Sequence, residues 1–482
     1  MSNLSELLPA GAGAKSASFV ASGTLGSGVT VALNSDGTVS PVGASIAEAL
    51  GTPSSEFGSS DSRQGEYSSA YDSVNEKIVV AYRDSTNSNY GTAIVGTVSG
   101  STISFGSPVV YESGSVPEQA VVYDVASGKI VIAYPDADNA SQGTAVVGTV
   151  SGTSISFGTP VIFETGNTAY IAPIYDANAQ KIVLYYTDFS NSNYGTSIVG
   201  TVSGTSISFG TPVLFVSGYA IGTAAVYDST SQKSVLAYRN FSLSSRGESK
   251  VGTVSGTSIS FGSATVFRGQ DTSEFALAYD SNAEKIVLVF NDTQIPIQHA
   301  EVAVGTVSGT SISYGSASVF NAFRTNRFAL SYDPNSKKVV FAYRNRDASD
   351  KGYVKYGEVS GSSITMSSPL LLNDESSSGH STIYVDNVSK MVITSELSTG
   401  VKSVTYQPPY SISNTDFIGI TDQAIADTAT GAVIVQGGVS DKVTGLTTGS
   451  DYYVQTDGSL STTVSSVPAG RALSSTSILL EG

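Results

Sequence analysis

The chain has 482 residues, with 24 Lys and Arg against 40 Asp and Glu, two His, no Cys and no Trp. The net charge of −16 leaves no basic surplus for displacing counterions from a phosphate backbone, and the lack of Cys excludes disulfides, thiolate nucleophiles and cysteine-ligated metals. Charged residues are only 13%, about half the usual share, yet 40% apolar residues with 26 Tyr and 18 Phe can build a core, and no apolar run is long enough for a membrane-spanning helix.

The opening MSNLSELLPAGAGAK has no basic stretch leading into an apolar one and does not read as a secretory leader. Short strands are expected at 28–33 and 38–42 around a Ser35-Asp36-Gly37 turn. A repeat then dominates. VGTVSGSTISFGSPVVY begins at Val95 and returns from Val147, Val199, Val251 and Val304, decaying to YGEVSGSSITMSSPLLL from Tyr356. Its first Gly falls at Gly96, Gly148, Gly200, Gly252, Gly305 and Gly357, a step of 52 or 53. A Tyr-Asp pair keeps that step from Tyr71-Asp72 to Tyr332-Asp333, and Tyr384-Val385-Asp386 is a degenerate seventh copy.

Each repeat reads as four strands. In the second they are expected at 120–123, 130–134, 144–150 and 155–163, β-branched and aromatic runs bounded by Gly, Asp, Asn or Ser. Four antiparallel strands at this period match one propeller blade, and seven blades close a ring. The expected fold is therefore all-β, a seven-bladed β-propeller of 52-residue repeats with a small C-terminal β module. The boundaries are 1–50 for an N-terminal docking and closure segment, 51–411 for the propeller and 412–482 for the module. The seventh repeat offers only 381–385, 391–397 and 401–407 before Pro408-Pro409 stops the ladder. Part of 17–50 is expected to supply its missing outer strand. The stretch DYYVQTDGSL from Asp451 echoes the region around Gly28–Val39, so the two ends are also expected to pair.

With no Trp there is no WD or Asp-box signature, and the only Gly-Gly pair, Gly437-Gly438, lies outside the repeats and so makes no kelch doublet. The C-terminal GLTTGSDYYVQTDGSLSTT with AGRALSSTSILLEG resembles a β module of tailed-bacteriophage virion proteins, notably tail fibres and appendages of marine and cyanobacterial phages. FVASGTLGSGVTVALNSDGTVSPV and the repeats resemble companion parts of such proteins. The resemblance implies a virion structural protein, assembled in the host cytoplasm. Its partners would be other virion proteins, with a host glycan or receptor, and it carries over no catalytic residue.

Strand order puts the 1–2 and 3–4 turns on one face, called lower, and the 2–3 and 4–1 loops on the other, called upper. The lower turns barely change (YDSVNEK, YDVASGK, YDANAQK, YDSNAEK), whereas the upper loops differ everywhere (DSTNSNYG, DADNASQG, DFSNSNYG, NFSLSSRGE). That asymmetry points to recognition by upper-face residues, with Tyr90, Tyr194, Arg246, His299, Arg324, Arg327 and Tyr353 as the candidates. The repeated Asp72, Asp124, Asp176, Asp228, Asp280 and Asp333 read as turn acceptors. Asp136-Ala-Asp138 and Asp347-Ala-Ser-Asp350 offer hard oxygens but not the spacing of a calcium loop, so Ca²⁺ is only a weak suggestion and no cofactor is expected. His299 and His380 lie on different repeats without a triad context, and no phosphate-binding Gly motif occurs. The chain is read as a non-enzyme that engages a host receptor or glycan. A purely structural decoration or connector protein and a polysaccharide depolymerase are the alternatives.

Overall fold

A computed structural model describes residues 15–34, 37–58, 67–293 and 299–481. Ser35 and Asp36 of the expected hairpin turn lie outside them, as do 294–298 of one upper loop. The chain forms two compact bodies, Ala49–Pro408 and a second made from both ends, Met1–Glu48 with Pro409–Gly482.

Among the described residues, the Ala49–Pro408 body holds seven successive antiparallel units that follow the repeat. The second strands, such as Lys129–Asp136 and Lys181–Asp188, are buried along nearly their whole length because both faces are covered. Each fourth strand is broken. Ser154–Phe157 pairs with the lower half of the third strand, Gln142–Ser151, and after Gly158-Thr159-Pro160 the chain resumes against its upper half. That resumed strand, Val161–Asp176, does not stop at the upper face. Residues 161–167 close one unit and 168–176 open the next. Val213–Asp228, Thr265–Asp280, Ser318–Asp333 and Leu370–Val385 do the same. Five of the 4–1 segments read as loops from sequence are therefore strand with a β-bulge, while the first, between Ser115 and Ala120, is a loop. At the bulge, inside the pairing with the new partner strand, one residue takes a left-handed conformation (Tyr170, Gly222, Glu274, Arg327).

Two devices join the units. A Cβ on Gly158 would lie 1.8 Å from the Thr205 carbonyl oxygen of the next unit, so only glycine permits that approach. Outward aromatics pack on the next unit's second strand, as Phe163 does on Tyr186 with centroids 5.3 Å apart. On the lower face the Tyr-Asp marker has two roles. Asp176 Oδ1 accepts the Ala179 N–H at 2.9 Å, fixing its own turn. The tyrosine of the following unit bonds the turn before it: Tyr227 Oη accepts the Asn178 N–H at 3.1 Å, and Tyr279 Oη donates to Thr230 Oγ1 at 2.7 Å. Tyr279→Phe should lower unfolding stability by about 1 kcal/mol, the net worth of one such bond, in urea titrations.

The seventh unit uses the same contacts on the first. Tyr71 Oη donates to Asn387 Oδ1 at 3.0 Å, and Ser69 meets Ser381. The fourth strand of the seventh unit begins with Ala49–Leu50, paired to Gln407 and Tyr406. It continues through the Gly51, Ser54 and Phe57 N–H groups, which donate to the carbonyls of Thr405, Ser403 and Val401 at 2.8, 2.8 and 3.0 Å. Gly51 approaches the Ser101 carbonyl as Gly158 approaches Thr205, and Phe57 packs on Tyr82 at 5.8 Å. Closure thus comes from 49–57, and only its first two residues fall inside the expected 17–50 window.

The strands expected at 28–33 and 38–42 lie elsewhere. Thr30–Leu33 and Val39–Pro41 join Phe417–Thr421, Thr430–Val435 and Ser16–Val20 in one five-stranded sheet, with Thr30 opposite Ile420 and Ser16 opposite Ile434. The reason is burial. Val31 and Ala32 are fully buried in two different apolar clusters, one on each face, whereas a closing outer strand leaves one face open. The N-terminal strands thus pair with 417–435 and not with Asp451–Val454, the stretch whose likeness to 28–39 suggested the pairing. A second sheet, with Asp451–Val454 and Pro468–Ala472 at its centre, completes this body.

Candidate ligand-binding face

Five of the 2–3 loops of the upper face share one backbone. In three of them the Asp or Asn side chain where the second strand ends takes N–H groups of its own loop: Asp84 from Thr86, Asp188 from Ser190 and Asn191, Asn345 from Asp347; Asp136 and Asn240 at the same position do not. All five loops then close on two consecutive left-handed residues, Ser88-Asn89, Ala140-Ser141, Ser192-Asn193, Ser244-Ser245 and Ser349-Asp350. A polar loop side chain also holds the bulge strand, since Asn167 N–H and Tyr219 N–H donate to Ser190 Oγ and Ser242 Oγ, both at 2.9 Å. The loops vary in side chain on a nearly constant frame.

The predicted residues occupy that frame at recurring positions. Tyr90, Tyr194, Arg246 and His299 each begin a third strand, opposite Ser115, Tyr219, Asp271 and Arg324 in register. Structure brings His299 and Arg324 together as cross-strand partners, and His299 Nε2 lies 4.0 Å from Glu301. Arg324 is half exposed and donates to Asp347 at 2.7 Å. Those contacts hold the Asp347 carboxyl below its ordinary range. Arg246 grips Glu248 at 2.5 Å. Burial pushes the Glu248 carboxyl up, but the bonds from Asn240, Tyr238 and Arg246 outweigh it and hold it low. Tyr353 stacks on Tyr343 at 6.1 Å and 22°, partly buried against the core. Arg327 sits at the bulge position; its N–H donates to Glu274 at 2.6 Å, while its Nε and Nη1 are shielded and have no hydrogen-bond partner.

First strands from all seven units line an axial cavity of about 300 Å³, among them Tyr67, Pro173, Phe275 and His380. Beside the bulges at the upper face, burial pushes Glu118 up to about 7; its carboxylate accepts the Ile171 N–H at 3.4 Å. Among the described residues no three His, Asp or Glu side chains converge as a metal site. Asp347 and Asp350, read from sequence as hard oxygens, face Arg324 and Arg344.

Sequence reasoning missed Tyr170, Phe189, Tyr219 and Phe241, which form a chain of aromatic rings on this face. The signal was present, since Phe189 and Phe241 occupy the position held by Ser85, Ala137 and Arg346 in other repeats.

No family model matches the chain, and no curated protein matches it. Solved structures do. A lectin from Burkholderia pseudomallei aligns over 71% of this chain and 96% of its own length at 11% identity, with a TM-score of 0.55. The likeness is one of fold. A polysaccharide lyase described as an ulvan lyase aligns over 76% of this chain and 96% of its own at 10% identity and a TM-score of 0.48.

Proposed function

We propose that the Ala49–Pro408 body is a seven-bladed β-propeller whose upper face binds a glycan. On this reading the protein is the host-engaging component of a tailed-phage particle, a tail fibre, appendage or surface protein, and not an enzyme. The observation that carries the binding role is the constant loop frame with varied side chains. An unconstrained face would drift in backbone as well as in residue, whereas a fixed frame displaying different groups is how rigid scaffolds present recognition residues. The lectin-like fold supports a saccharide as the ligand. The virion setting rests on the sequence resemblance of the C-terminal module.

A glycan array probed with the whole chain should give binding to a restricted set of bacterial surface polysaccharides. Binding to none of them, nor to intact cells, would overturn the glycan role. Antibody labelling of particles carrying the protein should place it at the tail or outer surface.

A further inference from the structure

We infer, building on the glycan reading above, that the rings of Tyr170, Phe189, Tyr219 and Phe241 form a stacking platform for a run of linked, uncharged sugar rings. The four centroids follow one another at 6.4, 6.3 and 5.2 Å across the third and fourth repeats. The middle pair meets edge to face at 70° and the outer two are tilted at 54 and 55°, so no pair is stacked face on face and each ring keeps a face that its neighbour does not cover. Tyr170 is 38% and Phe241 49% exposed, and Leu243 beside them is 47% exposed, among 2–3 loops whose other residues are largely Ser and Asn. Apolar rings of this size left in water mark a binding surface more often than a structural one.

The frame fixes the rings. Phe189 and Phe241 share one loop position, three residues before the left-handed pairs that lock the loop, and Ser190 and Ser242 tether the strands that carry Asn167 and Tyr219. Tyr170 has φ of 56°, a conformation that burdens a bulky side chain and that Gly222 adopts freely one repeat later. Strain held at one ring of an exposed row is characteristic of a functional position.

Sugar rings present C–H faces to aromatic faces and hydroxyl edges to polar groups, and a row of aromatics suits several linked rings better than one. The charge beside the row is already balanced. Arg239 lies over the Phe241 ring at 5.5 Å and is paired with Asp271 at 2.5 Å. At the other end Glu118, whose carboxyl burial pushes up to about 7, lies near Tyr170 and supplies no cation for an anionic sugar. The row therefore selects neutral oligosaccharides over carboxylated or sulfated ones.

Calorimetric titration of the whole chain with neutral gluco-, galacto- and manno-series di-, tetra- and hexasaccharides tests this. Affinity should rise about tenfold or more from di- to tetrasaccharide in the preferred series and then level off. Phe189→Ala and Phe241→Ala should each lower it about tenfold, the loss expected on truncating an aromatic anchor. Phe241→Tyr should retain it. Val125→Ser, on the lower face, should change nothing, and melting temperatures should be unaltered because the truncated rings are not buried in the core. Glycan binding that survives both Phe→Ala changes, or is independent of chain length, overturns this inference and leaves the glycan role standing. No binding to any glycan overturns both. Binding of the row to a protein surface in place of a saccharide also overturns it.

Discussion

Ser54→Pro combined with Phe57→Ala should open the Ala49–Pro408 body between its seventh and first units. Proline removes the N–H that Ser54 donates to the Ser403 carbonyl at 2.8 Å and the hydroxyl that accepts the Ser403 N–H at 3.0 Å. Ser403 is fully buried, so both of its backbone groups are orphaned, at about 1–3 kcal/mol each. Phe57 is 8% exposed and packs on Phe105 at 4.3 Å and Tyr82 at 5.8 Å; truncation there costs about 3–5 kcal/mol. The double change should remove roughly 5 kcal/mol or more, a large part of a typical domain's stability. Urea unfolding measures the loss. The freed edge of Val401–Gln407 should also pair between molecules, giving dimers and aggregates in size-exclusion chromatography. Ser54→Ala should cost about 1 kcal/mol and leave the chain monodisperse. An unchanged urea midpoint in the double variant would show that 49–57 does not hold the units together.

The second large effect concerns acid. His380 lines the axial cavity with its ring nitrogens 2.9 and 3.0 Å from the hydroxyls of Ser395 and Ser377. Burial first, and then the Arg344 charge, push its pKa down to about 3. The unfolded chain takes up a proton near pH 6.5 that the folded chain refuses. Stability from the neutral ring is therefore complete above pH 6.5 and falls as the pH drops toward 3. The slope is at most about 1.4 kcal/mol per pH unit, and about half of that where the ring edge opens to the cavity. His380→Gln keeps hydrogen-bonding groups there and cannot titrate. The wild-type chain should lose about 1–2 kcal/mol more than this variant between pH 7 and 5, measured by urea unfolding at each pH. Parallel pH dependence in the two proteins would refute the assignment.

The strands and lower turns were legible in sequence because their determinants are local. An Asp that accepts its own turn's N–H groups, a β-branched run between two such turns, and a repeat that copies both can be read one segment at a time. Closure was not local in that sense. The hairpin at 28–42 has the stronger strand signal, yet its two buried faces require cover on both sides. The real closing strand carries a weaker signal, Gly51-Thr52-Pro53, which copies Gly158-Thr159-Pro160 and Gly210-Thr211-Pro212. Its meaning depends on a glycine approaching a carbonyl of a different unit, which spacing alone does not reveal. The same holds for the ligand face. Tyr353 and Tyr194 were visible as loop aromatics, but whether a ring packs inward or lines up with its neighbours depends on the register of strands more than twenty residues apart. Five of the 4–1 segments were misread for a related reason, because Gly, Ser and Asn suggest a loop where the bulge in fact keeps a continuous ladder.

The sheet formed by the two ends also constrains when the protein can become complete. Ser16 pairs with Ile434 and Thr30 with Ile420, so Ser16–Val20 and one edge of Thr30–Leu33 have no partner until residues 417–435 have been synthesised. At about 5–20 residues per second the delay is on the order of a minute or less. During it the repeats can fold from short-range pairings, which form fast, while the first strands wait unpaired for the slowest contact in the chain. Synthesis that stalls among the near-identical repeats would leave both the closing strand and these early strands exposed. The chain is therefore most vulnerable to misassembly late in its production, and a chaperone would be needed most at that stage.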